Sequence, residues 1–484
     1  MFKARPNQEE ILNFRKGRMG VSAVPGSGKT FTLSRLAANL IAENRINDDQ
    51  EVLIVTLVNS AVDNFSQRIN KFIREYNLLP NFGYRVRTLH GLAHDIVKER
   101  PSLVQLEEHF EIADEAESQE IINQICAYWL KTNPAFVEYF KNQGIVNHSS
   151  GKVKMGWDKL VVDIAGSFIR QAKDMELTPE DLGASMSQKK VSTPLLELGL
   201  HAYSEYQRAL SFRGAVDFED LIRLAIKALR ADSAYLQRLS NRWPYILEDE
   251  AQDSSMLQEK ILRLLADAGS SWIRVGDPNQ AIYETFTTAS PRFLREFLNQ
   301  PDVTSCSLPH SGRSTRSIIN LANHLVEWTN SSHPVMEIRD ALTPPLIKPT
   351  PKGDPQPNPK DEPEGIYFHQ AKLEPADEIQ LIVRSLKKAL ANDADRTIAI
   401  LVPRNDRGAE MAGALQVAGI ECVELLQTSN TTRRAAKMLS KVLQFIIEPT
   451  KSTTLAELFR EYLGYAVEKG VKDERFLPVS KRIQ

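Results

Sequence analysis

AVPGSGKT, Ala23 to Thr30, decides how the rest of this chain is read. A short apolar stretch, MGVSA, runs into it, and the amphipathic TFTLSRLAANLIAEN runs out of it. Strand, glycine-rich loop and helix in that order form the setting in which backbone amides close around phosphate. Gly26 and Gly28 can take the backbone angles that turn N–H groups inward. The helix beginning there adds the positive end of its dipole. Lys29 is expected to reach the β- and γ-phosphates, and Thr30 to place its hydroxyl on Mg²⁺. Ala23 stands where the usual pattern has its first glycine, and a small residue suffices at that opening position. The expected nucleotide-binding run is therefore Ala23, Val24, Pro25, Gly26, Ser27, Gly28, Lys29, Thr30 and Phe31.

A second stretch supplies the other half of such a site. In YILEDEAQDSS, Tyr245 to Ser255, an apolar strand ends in two adjacent carboxylates, Asp249 and Glu250. Alone, that pattern is equally an acidic helix start. Paired with a phosphate loop, it reads as a Mg²⁺-holding aspartate followed by a glutamate that polarises the attacking water. Asp249 and Thr30 are the expected metal ligands.

The pattern between and around these stretches is α/β. EVLIVT and YRVRT read as buried strands, each followed by a helical run, which argues a mostly parallel sheet covered by helices. From residue 101 to 240 the strand signal gives way to long helical patterns, read as an insertion. Within it, GKVKMGWDK, Gly151 to Lys159, reads as a solvated turn. Strand character returns at YILED and SWIRVGD. Thr343 to Gly365 is rich in proline and poor in apolar residues, and reads as an exposed extended linker or loop. GIYFHQ and TIAILV then read as strands of a second βα pattern. The expected division is 1–100 with 241–300 as one split motor domain, 101–240 as the helical insertion, 301–430 as part of a second domain containing the proline-rich loop 343–365, and 431–484 as the start of a further helical insertion.

Composition sets outer bounds. The chain has 484 residues and a net charge of −2, so any nucleic-acid surface must be local rather than global. Three cysteines with no CxxC spacing give no structural zinc site and read as reduced, buried thiols. The N-terminus lacks an apolar signal core, and no apolar run is long enough for a bilayer, which makes a cytoplasmic protein the expectation.

Taken as an ordered series, these stretches resemble the UvrD/Rep-type helicases of superfamily 1. AVPGSGKT resembles that family's phosphate loop, DEAQD its second motif, and VGDPNQAIY, Val275 to Tyr283, its third. RPNQEEIL places Gln8 like the glutamine that reads adenine. VTLVNSAVDNFSQRI and RTLHGLAHDI resemble single-strand-contacting motifs, and VDFEDLI, Val216 to Ile222, a segment found before the second motif. SGRSTRSIINLAN resembles the fourth motif. The resemblance implies a RecA-like motor domain with a helical insertion and a second, incomplete RecA-like domain. It implies ATP with Mg²⁺ as cofactors and single-stranded DNA, with or without a duplex junction, as partner, travelled 3′ to 5′. It assigns Gln280 as γ-phosphate sensor, Arg313 as a γ-phosphate arginine from a second domain, and Asn59, Thr88, His90, Tyr283 and Phe286 as DNA contacts. Lys29, Asp249, Glu250, Gln280 and Arg313 form the expected catalytic set.

The chain also departs from that pattern. Phe31 and Gly312 stand where the family has the arginine and tyrosine that sandwich adenine, and Leu57 where it has a DNA-facing aromatic. The tail of the third motif reads IYETFTTAS. Nothing like the fifth and sixth motifs occurs before Gln484, so the expectation is the N-terminal part of a motor. The alternatives are a nucleotide-binding interaction module whose protein partner completes the site and, third, a P-loop phosphotransferase.

Overall fold

Six short strands carry the architecture: β1 (Arg18–Ala23), β2 (Val52–Thr56), β3 (Tyr84–Thr88), β4 (Tyr245–Glu248), β5 (Ser271–Gly276) and β6 (Val303–Leu308). A computed structural model describes residues 4–136, 138, 151–190, 193–281, 289–393 and 395–423, with scattered positions between 439 and 455. The strands form one sheet in the order β3-β2-β4-β5-β1-β6, and every pairing is parallel. All residues of β2, β4 and β5 are buried, as expected where helices cover both faces.

Alternation along each strand sorts its side chains into two cores. Val52 and Ile54 of β2 point to the core that also holds Tyr245 and Leu247 of β4 and Ile273 and Val275 of β5. Helices α1 (Pro6–Leu12), α2 (Lys29–Ala42) and α3 (Asn59–Glu75) close that side through Ile11, Leu33, Leu36 and Phe65. Leu53, Val55, Ile246 and Trp272 point the other way, toward α4 (Leu89–Glu99) and the helices Phe218–Ala231, Ser233–Arg242 and Met256–Asp267. The fold class is therefore the expected one, a RecA-like parallel-sheet motor domain with a helical insertion.

The insertion has its own core. Helices Glu115–Thr132, Gly151–Asp174 and Pro194–Phe212 pack around Ile121, Val161, Ile169, Leu198 and Tyr203. It joins the motor domain through a two-residue parallel ladder, Glu111–Ile112 with Ala215–Val216. Two sequence expectations change here. Helices Phe218–Ala231 and Ser233–Arg242 pack on the sheet rather than in the insertion, because Leu221, Ile222, Ala225 and Leu229 complete the core beneath β2 and β4. Gly151 to Lys159 lies within a helix, not a turn. Trp157 packs against the insertion core, with its ring 6.3 Å from that of Phe136.

At the seam between insertion and motor domain, Lys173 is fully buried. Its ammonium donates to Asp217 at 2.5 Å and to Asp220 at 2.8 Å. Tyr206 adds a hydroxyl donor to Asp217 at 2.8 Å. Removing one partner of such a cluster leaves uncompensated charge in low dielectric. Lys173→Met is expected to lower stability by about 3–5 kcal/mol, read as a drop in the thermal or urea midpoint of the intact chain. An unchanged midpoint would show that the two carboxylates reach solvent.

The chain divides into two compact units, 1–367 and 368–484. The first includes β6, which pairs with β1 along its full length, so the boundary expected at residue 300 falls one strand too early. It also includes the proline-rich segment. That segment is not a free linker: Lys348–Pro349 pairs with His310–Ser311, and Asn358 Nδ2 donates to the carbonyls of Ser311 and Ser314 at 2.6 and 2.8 Å. In the second unit, helices Pro375–Asn392 and Asn405–Val417 pack through Leu386, Met411 and Leu415. Residues 365–370 and 397–402, expected as strands, join no ladder among the described residues. A strand requires a neighbour to satisfy its backbone amides, and none is described beside them. The expected helical stretch from 431 lies largely outside the described residues.

Two cysteines, Cys126 and Cys306, are buried as expected, and burial pushes their thiols up to about 11 and about 12. Cys422 is exposed instead. Among the described residues, no helix is long and apolar enough to cross a membrane.

Candidate nucleotide site

A parallel sheet brings the C-terminal ends of all its strands to one edge, and the loops beyond that edge form the natural ligand crevice. Here those loops carry nearly all the residues singled out in the sequence. Beyond β1 lies the phosphate loop, beyond β4 the acidic pair, beyond β5 Gln280 and beyond β6 Arg313. Asn59 opens the helix after β2, and Thr88 ends β3.

The loop has the conformation its glycines permit. Gly26 and Gly28 have φ of +73° and +90°, left-handed angles that a side chain resists. Gly26 is also sterically required, since a Cβ there would sit 2.6 Å from both Arg313 Cβ and Ser311 Oγ. Ala23 is buried at the end of β1 opposite Leu308, and Val24 N–H donates to the Leu308 carbonyl at 3.1 Å. A methyl group therefore fits the opening position of the loop.

Lys29 Nζ donates to Glu250 Oε2 at 2.8 Å, and Thr30 Oγ1 to Asp249 Oδ2 at 3.0 Å. Asp249 is buried, and desolvation, followed by the charge of neighbouring Glu250, pushes its carboxyl up to about 6. Burial acts on Glu250 in the same sense, yet the Lys29 ammonium outweighs it and holds that carboxyl below its usual range. Two adjacent carboxylates are thus driven apart in acidity by burial and by the Lys29 ammonium. Glu250 also has φ of +55°, an uncommon angle for a residue with a side chain.

Gln252 ties the acidic turn to the loop after β5. Its Nε2 donates to Glu250 Oε2 at 2.9 Å, and its Oε1 accepts from Asp277 N–H at 2.9 Å. The approach is close enough that a Cβ on Gly276 would lie 2.5 Å from Gln252 Oε1. Beneath, the buried Arg274 guanidinium donates to Glu259 at 2.6 Å and to Glu248 at 3.3 Å, fixing the residue before Asp249.

These groups surround a cavity of about 600 Å³. Of the expected residues, Gln8, Pro25, Gly26, Ser27, Gly28, Lys29, Thr30, Phe31, Glu250, Gln280 and Arg313 line it. Ala23, Val24 and Asp249 are buried behind the lining. Arg313 belongs to the same compact unit as the phosphate loop, not to a second one as expected, because β6 adds to the first sheet and carries it there. Phe31 packs edge-on against Phe72, ring centroids 5.1 Å apart. Among the described residues no group of three or more His, Cys, Asp or Glu could cage a metal. A hydroxyl and one carboxylate 3.0 Å apart nevertheless suit Mg²⁺, which takes one or two protein ligands beside phosphate and water.

Arg5, Asn64, Arg68, Asp354, Pro355 and Gln356 also line the cavity and were missed in the sequence. Asn64 and Arg68 lie four residues apart on α3, where helical spacing offered a signal. Asp354 offered none, for its contact with Arg5 spans 349 positions.

The expected DNA contacts divide. Asn59 is exposed at the start of α3. Thr88 Oγ1 accepts from Gly91 N–H at 3.1 Å and caps α4. His90 is partly buried, its ring 5.5 Å from Phe218. Tyr283 and Phe286 lie outside the described residues. Burial holds His90 below its ordinary pKa, although the Asp217 charge acts in the opposite sense. A depressed folded-state value favours the neutral ring. That stabilisation is complete above the unfolded value of about 6.5 and is lost as pH falls through the folded one. The melting temperature is therefore expected to fall more steeply between about pH 7 and about pH 5 in the wild type than in His90→Asn. Parallel curves would mean that the ring is hydrated when folded.

Comparison with known proteins accords with this geometry. The protein named ATP-dependent DNA helicase PcrA of Staphylococcus aureus (strain Mu50) is 25% identical over 327 residues, 68% of this chain and 40% of that protein. Its namesake from Staphylococcus epidermidis (strain ATCC 12228) is 24% identical over the same shares. The match thus spans well under half the length of these relatives. The pattern of the UvrD/REP helicase N-terminal domain matches residues 4–302, which contain β1 to β5, the insertion, the phosphate loop and the acidic pair. The chain belongs to the UvrD/REP helicase family.

Proposed function

We propose that this chain binds and hydrolyses ATP with Mg²⁺ to drive movement on single-stranded DNA, 3′ to 5′, as a helicase or translocase or its N-terminal part. The observation that carries this reading is the convergence of Lys29, Thr30, Glu250, Gln280 and Arg313 on one cavity, with Asp249 directly behind Thr30. Amides of the phosphate loop and the start of α2 hold the phosphates. Thr30 and Asp249 would hold Mg²⁺, which would supply neutralisation of phosphate charge. Lys29, now paired with Glu250, transfers to phosphate oxygens when nucleotide enters. Glu250 is then free to accept the proton of the attacking water, and the departure of the Lys29 ammonium makes its carboxylate more basic for that task. Arg313 faces the charge that develops on the transferred group. Gln280 hangs on the loop that Gln252 couples to Glu250, so a change at the acidic turn reaches it. Movement on DNA would follow from that coupling, with Asn59, Thr88, His90, Tyr283 and Phe286 as proposed contacts.

The test is ATP turnover with and without single-stranded DNA. Turnover stimulated by DNA supports a motor. Nucleotide binding with no stimulated turnover would favour the second reading, a nucleotide-binding module completed by a partner protein.

A further inference from the structure

Three residues of the proline-rich segment, Asp354, Pro355 and Gln356, line the nucleotide cavity. They are tied there by a two-pronged ion pair. Arg5 Nε meets Asp354 Oδ2 at 2.7 Å, and Arg5 Nη2 meets Oδ1 at 3.0 Å. The Asp354 side chain is only 2% exposed. The remaining Arg5 nitrogen, Nη1, donates to the carbonyls of Ser27 in the phosphate loop and His310 after β6, both at 3.3 Å. Arg5 N–H donates to Gln8 Oε1 at 3.0 Å. One arginine therefore joins the strap, the phosphate loop and the glutamine expected to read the base. Gln356 N–H donates to Asp354 Oδ1 at 2.9 Å, which fixes the strap's turn on the same carboxylate.

Gly312 makes room for this arrangement. A Cβ at that position would lie 2.4 Å from the carbonyl oxygen of Gln356, so any side chain there displaces the strap. The position left small by the sequence is the one the strap occupies.

We propose that Pro355 and Gln356, held by the Arg5–Asp354 latch, form the base-side wall of the nucleotide pocket and set its preference for adenine over guanine. This rests on reading the cavity as the ATP site. Lys29, Thr30 and Arg313 supply the chemistry that phosphate requires. The lining also contains Gln8, Phe31, Pro355 and Gln356, which carry no charge and suit a purine: two apolar surfaces, and two amides that each donate and accept. Asp354 does not repel the triphosphate, because Arg5 neutralises it.

Calorimetric titration of the full chain with Mg-ADP and Mg-GDP tests this. The wild type is expected to prefer ADP. The double variant Pro355→Gly, Gln356→Ala, confined to exposed side chains, is expected to raise the ADP Kd about tenfold and the GDP Kd by less than about twofold. Gly312→Ala, whose Cβ would meet the Gln356 carbonyl oxygen at 2.4 Å and so push the strap out while leaving its residues unchanged, should erode the ADP preference in the same direction. A wild type without preference, or variants in which both constants are unchanged or move together, would overturn the strap's role and leave the nucleotide site standing. A wild type that binds neither nucleotide, or a Lys29→Ala chain that binds as well as the wild type, would instead remove the ATP reading itself, and the strap's role with it.

Discussion

Glu250→Gln is expected to lower ATP turnover by about a thousandfold while ATP remains bound. The amide keeps the size and hydrogen-bonding reach of the carboxylate but cannot accept the proton of an attacking water. Binding should hold or tighten, because Lys29 no longer has to leave a 2.8 Å ion pair before meeting phosphate. The Gln252 contact survives, since an amide oxygen still accepts from its Nε2. Single-turnover hydrolysis with separately measured ATP affinity checks this. Turnover within about tenfold of the wild type would transfer the base role to another group. A loss of affinity equal to the loss of rate would mean that Glu250 shapes the site and does no proton chemistry.

Lys29→Ala acts on the other partner of the same pair, and its signature is different. The ammonium is the cation of the phosphate loop itself, on the first residue of α2. Losing charge-assisted hydrogen bonds to phosphate is expected to weaken ATP binding by about a hundredfold. Turnover should vanish at ATP levels that saturate the wild type. The substitution also leaves Asp249 and Glu250 adjacent without their nearest countercharge, so both should protonate more readily. In the metal-free protein the variant should therefore take up protons at higher pH than the wild type, visible in a potentiometric titration. Unchanged nucleotide affinity would remove the reading of this cavity as the ATP site.

Local stretches announced most of this protein. The phosphate loop, the acidic strand end and the βα alternation were legible because each depends on neighbours a few residues away. Left-handed angles demand glycine at 26 and 28, and a strand buried on both faces demands an unbroken apolar run such as VLIVT. From these the parallel sheet follows, and a parallel sheet gathers its loops on one edge. The residues Lys29, Glu250, Gln280 and Arg313, scattered through almost three hundred positions, were thereby bound to meet.

What the chain's letters could not convey was long-range and non-periodic. The segment Thr343 to Gly365 lacks the apolar residues that mark a core, so it read as a linker. Its attachment is made instead by a two-residue ladder and scattered polar contacts: Arg5 to Asp354, Asn279 to Thr343, Asn358 to two carbonyls. Such contacts leave no periodic trace, because their partners lie tens to hundreds of residues away. The same limit explains the misplaced boundary at 300 and the helices assigned to the insertion. A strand or amphipathic helix declares that it must bury a face, but not which surface it will bury it against. Sequence alone determined the chemistry of the phosphate end of the pocket, where function requires particular residue types at fixed spacing. Only the tertiary structure decided what walls the rest of it, because that depends on which distant segment packs into the space Gly312 leaves open.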